Sequence, residues 1–73
     1  MKQNLTDLGL IAGENLKRLI KQSDCKTQAE FAYRFGTSPR NVSRWINEGI
    51  ESLSIIQQIA SFFGVDALTL LSL

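Results

Sequence analysis

Three observations predict a small all-α domain of five helices for this 73-residue chain. Apolar residues recur at helical rather than alternating spacing: Leu16, Leu19 and Ile20; Phe31, Ala32 and Phe35; Val42, Trp45 and Ile46; Ile56, Ile59, Ala60 and Phe63. Between these clusters stand residues that end helices (Gly36, Gly49, Gly64) and residues that start them (Thr27, Ser38, Ser52, Asp66). Finally, there is no internal repeat, low-complexity stretch or Pro-rich linker, so residues 1–73 read as a single domain.

The elements follow in order. The first helix is expected over residues 8–22, before a loop through Ser23, Asp24, Cys25 and Lys26. Residues 1–7, with Lys2 their only base, read as a disordered segment. Thr27 and Glu30 have capping-box spacing, in which each side chain satisfies the other's free backbone N–H. The second helix therefore starts near Gln28 and stops at Gly36. Ser38 is a good N-cap, and Pro39 suits a first helical position because its missing N–H would be unpaired there anyway. The third helix runs to Asn47 or Glu48, closed by Gly49. Ser52 caps a fourth helix over 53–63, and Asp66 caps a short fifth ending near Leu71.

Composition narrows the function classes. A lone cysteine and no histidine exclude an intramolecular disulfide and a Cys/His metal set, so neither a metal nor another cofactor is expected. No carboxylate pair or nucleophile–base set stands out, which argues against an enzyme and a small-molecule substrate. Cys25 reads as a small apolar residue or a loop thiol. No apolar run reaches the roughly 20 residues of a membrane span, and the first residues lack a signal-peptide pattern, so a cytoplasmic protein is expected. A core this small supplies only about 3–5 kcal/mol, which makes oligomerisation a natural expectation. The net charge is +1, yet it is unevenly spread. Residues 1–44 hold all eight bases against four acids, a balance of +4, while residues 45–73 hold three acids and no base. Such asymmetry points the first half toward a polyanion.

The second and third helices, with a turn of about three residues around Gly36, have the size and punctuation of a helix-turn-helix over residues 27–48. At 100° per residue, Val42 and Ile46 share one side of the third helix with Trp45 at its border, and Arg40, Asn41, Arg44, Asn47 and Glu48 take the opposite arc. Arginine can donate two hydrogen bonds to guanine O6 and N7, and asparagine can pair with adenine N6 and N7. The outer arc therefore carries groups suited to base edges.

These residues also carry a family resemblance. "TQAEFAYRFGTSPRNVSRW", residues 27–45, resembles the phage Cro and repressor type of helix-turn-helix, the xenobiotic-response-element family, in Thr27, Gln28, Ala32, Gly36, the Ser-Pro start and the Val-Ser-Arg-Trp run. "SLSIIQQIASFFGVDALTLL", residues 52–71, is similar to the last two helices of that family. The resemblance implies a compact five-helix, lambda-repressor-like DNA-binding domain. It gives Gln28 a phosphate contact at a helix N-terminus, and Ser38, Arg40, Asn41 and Arg44 contacts to base edges or neighbouring phosphates in the major groove. Ser43 touches backbone phosphate, and Lys17, Lys21 and Arg34 neutralise phosphates nonspecifically. Pro39 departs from the family, several of whose members carry a base-reading Gln there, and this shifts the burden to Arg40 and Arg44. Ile20 and Ile46 stand where the family often has an Arg–Glu ion pair, which an apolar pair of similar bulk can replace; these two are expected to touch. Glu48 reads as an insertion that brings an acid close to the phosphates.

In the second half, Ile55, Phe62, Leu68, Leu71 and Leu73 are left over once Ile56, Ile59, Ala60, Phe63, Val65 and Leu70 are given to the core. Such a surplus suggests a homodimer interface. A two-fold dimer places two reading helices about 34 Å apart on a palindromic operator. The sequence thus predicts a double-stranded-DNA-binding transcriptional regulator, acting as a repressor. Its rival is a protein-interaction module of the same fold that uses the apolar C-terminal half and leaves DNA alone.

Overall fold

Cap residues set the helix boundaries. The computed structural model describes residues 5–72, with side chains from Asp7 onward. It contains α1 (Leu5–Gln22), α2 (Gln28–Phe35), α3 (Pro39–Glu48), α4 (Leu53–Phe63) and α5 (Ala67–Leu70), with no strand among the described residues. Thr27, Ser38 and Ser52 each take extended backbone and accept a hydrogen bond from the amide three residues on, those of Glu30, Asn41 and Ile55. Gly36 and Gly64 close α2 and α4 in the left-handed conformation, which costs a residue without Cβ nothing. Among the described residues, no helix is long and apolar enough to cross a membrane.

Three local expectations are corrected. Residues 5–7, read as part of a disordered segment, form the first turn of α1. Asp7 there suits the positive end of the helix dipole; residues 1–4 lie outside the described part. The capping box is only half made, because the Thr27 amide donates to the Cys25 carbonyl at 2.7 Å across a tight turn in which Lys26 has φ of 65°. With that amide already satisfied, Glu30 turns to Arg34 instead. Asp66 occupies the N-cap position of α5, but its side chain makes no cap hydrogen bond; the Thr69 amide uses the Asp66 backbone carbonyl at 2.9 Å.

The core gathers Ala12, Leu16 and Ile20 of α1, Phe31 and Ala32 of α2, Val42 and Trp45 of α3, Ile56, Ile59 and Ala60 of α4, and Leu70 of α5, with Cys25 and Ile50 from the loops. Its centre is aromatic. The Phe31 ring lies 5.1 Å from Phe35, 5.1 Å from Phe62 and 5.4 Å from Phe63, and Trp45 meets Phe35 edge-on at 6.0 Å. Ile20 is buried, and Ile46 packs half-buried against the same cluster. The radius of gyration, 11.3 Å, matches the value of about 11 Å for a compact chain of this length.

α1 approaches α3 backbone to backbone. A Cβ on Gly13 would collide with the Trp45 carbonyl oxygen, and one on Gly9 would stand 2.6 Å from the Ile50 carbonyl oxygen. The Ile50 amide donates to the Gly9 carbonyl at 3.0 Å and fastens the α3–α4 connection to α1. A four-residue helix has no stability of its own, and buried Asn15 supplies what α5 lacks. Its Nδ2 donates to the carbonyls of Leu70 at 2.8 Å and Ser72 at 2.7 Å, satisfying groups that a helix C-terminus leaves unpaired.

Candidate nucleic-acid interface

The short turn at Gly36 and the Ser38–Pro39 start fix how α3 leaves α2. The apolar side of α3 then fixes its rotation: Val42 is fully buried, Trp45 nearly so and Ile46 half-buried. Helical geometry sends Arg40, Arg44, Asn47 and Glu48 to solvent, and all four are exposed. Arg40, Ser43, Arg44, Asn47 and Glu48 line one shallow groove. A second groove, between α1 and α3, is lined by Glu14, Lys17, Arg18, Lys21, Ile46 and Asn47. Asn47 belongs to both, so the outer face of α3 continues into the cationic side of α1.

The remaining polar residues of this region are braced within the chain. Ser38 accepts from the Asn41 amide at 3.2 Å. Half-buried Asn41 donates its side-chain amide to Thr37 Oγ1 at 3.0 Å. Asn47 Nδ2 donates to Ser43 Oγ at 3.2 Å. As it lies here, Asn41 does not stand out with its amide clear for the two-bond adenine contact open to an exposed asparagine. Gln28 is half-buried at the first position of α2.

Arg34 lies on α2 with its Nε 2.8 Å from Glu30 Oε2, the one ion pair among the described residues. That hydrogen bond to the Glu30 carboxylate raises the already high pKa of the guanidinium. Arg34 is thus engaged by an internal carboxylate, unlike Lys17, Arg40 and Arg44, which are exposed and make no ion pair among the described residues.

The residues assigned to a dimer surface separate. Phe62, 38% exposed, packs against Phe31, Phe35 and Phe63. Ile55 and Leu71 are half-buried against the core. Leu68 alone stands well out, 74% exposed, and Leu73 lies outside the described residues. Leu53, at the start of α4, is 57% exposed and had not been singled out. The surplus of apolar residues shrinks because the four phenylalanines fill one cluster, an arrangement that helical periodicity alone cannot show. Arg18 and Glu14, which line the α1 groove, were also missed; their signal was the helical spacing of Glu14, Lys17, Arg18 and Lys21 along one side of α1.

Comparison with protein-family models, with curated proteins and with solved structures finds no match to this chain.

Proposed function

We propose that this chain is a sequence-specific double-stranded-DNA-binding protein: a helix-turn-helix domain of the lambda-repressor-like kind in which α3 enters the major groove. In this reading it acts as a homodimeric transcriptional repressor that occludes a promoter at a palindromic operator. The observation that carries the proposal is the outer face of α3. Arg40 and Arg44 are exposed and make no ion pair among the described residues, on a helix whose opposite side is locked into the core. The adjoining groove, which shares Asn47 with this face and carries Lys17, Arg18 and Lys21 beside Glu14, supports the reading by supplying cationic groups for a flanking phosphate strand. Gln28, Ser38 and Ser43 lie at helix starts or on the rim of α3, where backbone phosphates are within reach.

Titration of a selected duplex between about 50 and 200 mM salt tests this, since neutralising several phosphates makes affinity fall steeply with salt. Arg40→Ala and Arg44→Ala should each weaken specific binding by about 1–3 kcal/mol. A chain that binds no duplex at low salt refutes the proposal. The rival, a protein-interaction module without DNA binding, draws on the exposure of Leu53 and Leu68. It predicts the reverse pattern: Leu68→Ser weakens self-association or partner binding, and the arginine variants change nothing. Duplex binding by the Arg40→Ala and Arg44→Ala variants separates the two readings, because both use Leu68 for association and only one uses the arginines.

A further inference from the structure

We infer that α3 reads guanines, and that the preferred half-site carries two G·C pairs about two base pairs apart, contacted by Arg40 and Arg44. The inference rests on the DNA-binding reading above and specifies which sequences that face selects. Arg40, Asn41, Arg44 and Asn47 are the α3 side chains with N–H donors at or near the candidate groove, and the structure sorts them by what those donors already do. Asn41 and Asn47 each give one amide N–H to a neighbouring hydroxyl, Thr37 Oγ1 and Ser43 Oγ. Each amide keeps its second N–H, but its orientation is held by that internal bond, so a two-bond adenine contact has to compete with it. Arg40 and Arg44 make no such bond: neither takes part in any side-chain hydrogen bond or ion pair among the described residues, and both line the groove. A planar guanidinium with paired free donors matches the two acceptors, O6 and N7, that guanine alone presents side by side in the major groove.

Spacing gives the separation. Four residues along a helix advance about 6 Å and return to nearly the same face. Against a rise of about 3.4 Å per base pair, that is close to two steps. Glu48, one turn further along the same stripe, lines the groove with the arginines. Its carboxylate only accepts, so that end of the stripe disfavours phosphate and takes the N4 amino group of cytosine.

The test is selection of duplexes from a random library on the full chain, followed by binding of the enriched duplex with and without 7-deazaguanine, which lacks the N7 acceptor. The expected result is a half-site with two guanines at this separation, whose replacement by 7-deazaguanine lowers affinity about tenfold, with most of that loss absent in the matching Arg→Ala variant. Arg44→Lys, which keeps the charge, should retain the salt dependence of nonspecific binding while losing roughly 5- to 150-fold on the selected site. Enrichment of A·T-rich half-sites, or 7-deazaguanine without effect on salt-dependent binding, overturns guanine reading and leaves DNA binding standing. Absence of salt-dependent duplex binding overturns both.

Discussion

α3 is held from two sides by contacts of opposite kinds. Toward α1 the closest approach is backbone on backbone, Gly13 against Trp45 of α3 and Gly9 against Ile50 just past its end, with no room for a single methyl group. Toward α2 it runs through rings, with Trp45 against Phe35, and Phe35 in turn meets Phe31 and, on α4, Phe62. Side chains in a ring cluster can repack when one of them changes, whereas a carbonyl at the end of a helix cannot move without taking the helix along. The α1 side therefore sets where α3 sits, and the aromatic side is the one that can adjust.

The sharpest way to break this comparison is to add one methyl group. Gly13→Ala should abolish the cooperative thermal transition followed by circular dichroism. The new Cβ meets the Trp45 carbonyl oxygen, and the cost outweighs the gain of about 1 kcal/mol that alanine brings to a helix interior. A stable Gly13→Ala protein would show that α1 and α3 can separate freely. The aromatic side should be graded instead. Phe31→Ala should cost about 3–5 kcal/mol, close to the whole stability of so small a domain, while Phe31→Leu should keep a folded protein at a cost of about 1.5 kcal/mol or less in urea denaturation.

Smaller effects extend the same contrast outward. Asn15→Ala should lose about 1–3 kcal/mol, because the carbonyls at the end of α5 are left without their donor. Hydrogen exchange should report faster opening of α5 amides than of α2 amides in that variant. Ser38→Ala should cost about 1 kcal/mol through loss of the N-cap bond to the Asn41 amide. At the far end of the scale, Arg40→Ala and Arg44→Ala should stay within about 0.5 kcal/mol of the parent stability, since neither side chain makes a hydrogen bond or ion pair among the described residues. That last pair separates the two sides of α3, because residues that matter for binding should not matter for folding.

Much of this was legible in order along the chain. Four of the five helices begin where a cap residue or proline predicts, and α2, α3 and α4 end at Gly36, Gly49 and Gly64. Local signals suffice there because a cap acts on amides two or three residues away. Glu30 shows the limit: its spacing from Thr27 is right for a capping box, but a turn formed by Lys26 satisfies the Thr27 amide first. The candidate site was legible in part. Arg40 and Arg44 were placed on the outer face by helical period, and both are exposed; the bracing of Asn41 by Thr37 depends on the angle at which α3 leaves the turn.

The helical class, the element order and the two-sidedness of α3 can be read from the chain alone, because these rest on periodicity and on short-range hydrogen bonding. It takes the packed fold to show that Gly9 and Gly13 are packing residues, that Asn15 ties α5 to α1 across more than fifty positions, and that Phe62 belongs with the other phenylalanines. Each of those depends on which surfaces meet, and nothing in the local sequence around a glycine or an asparagine records what lies opposite it.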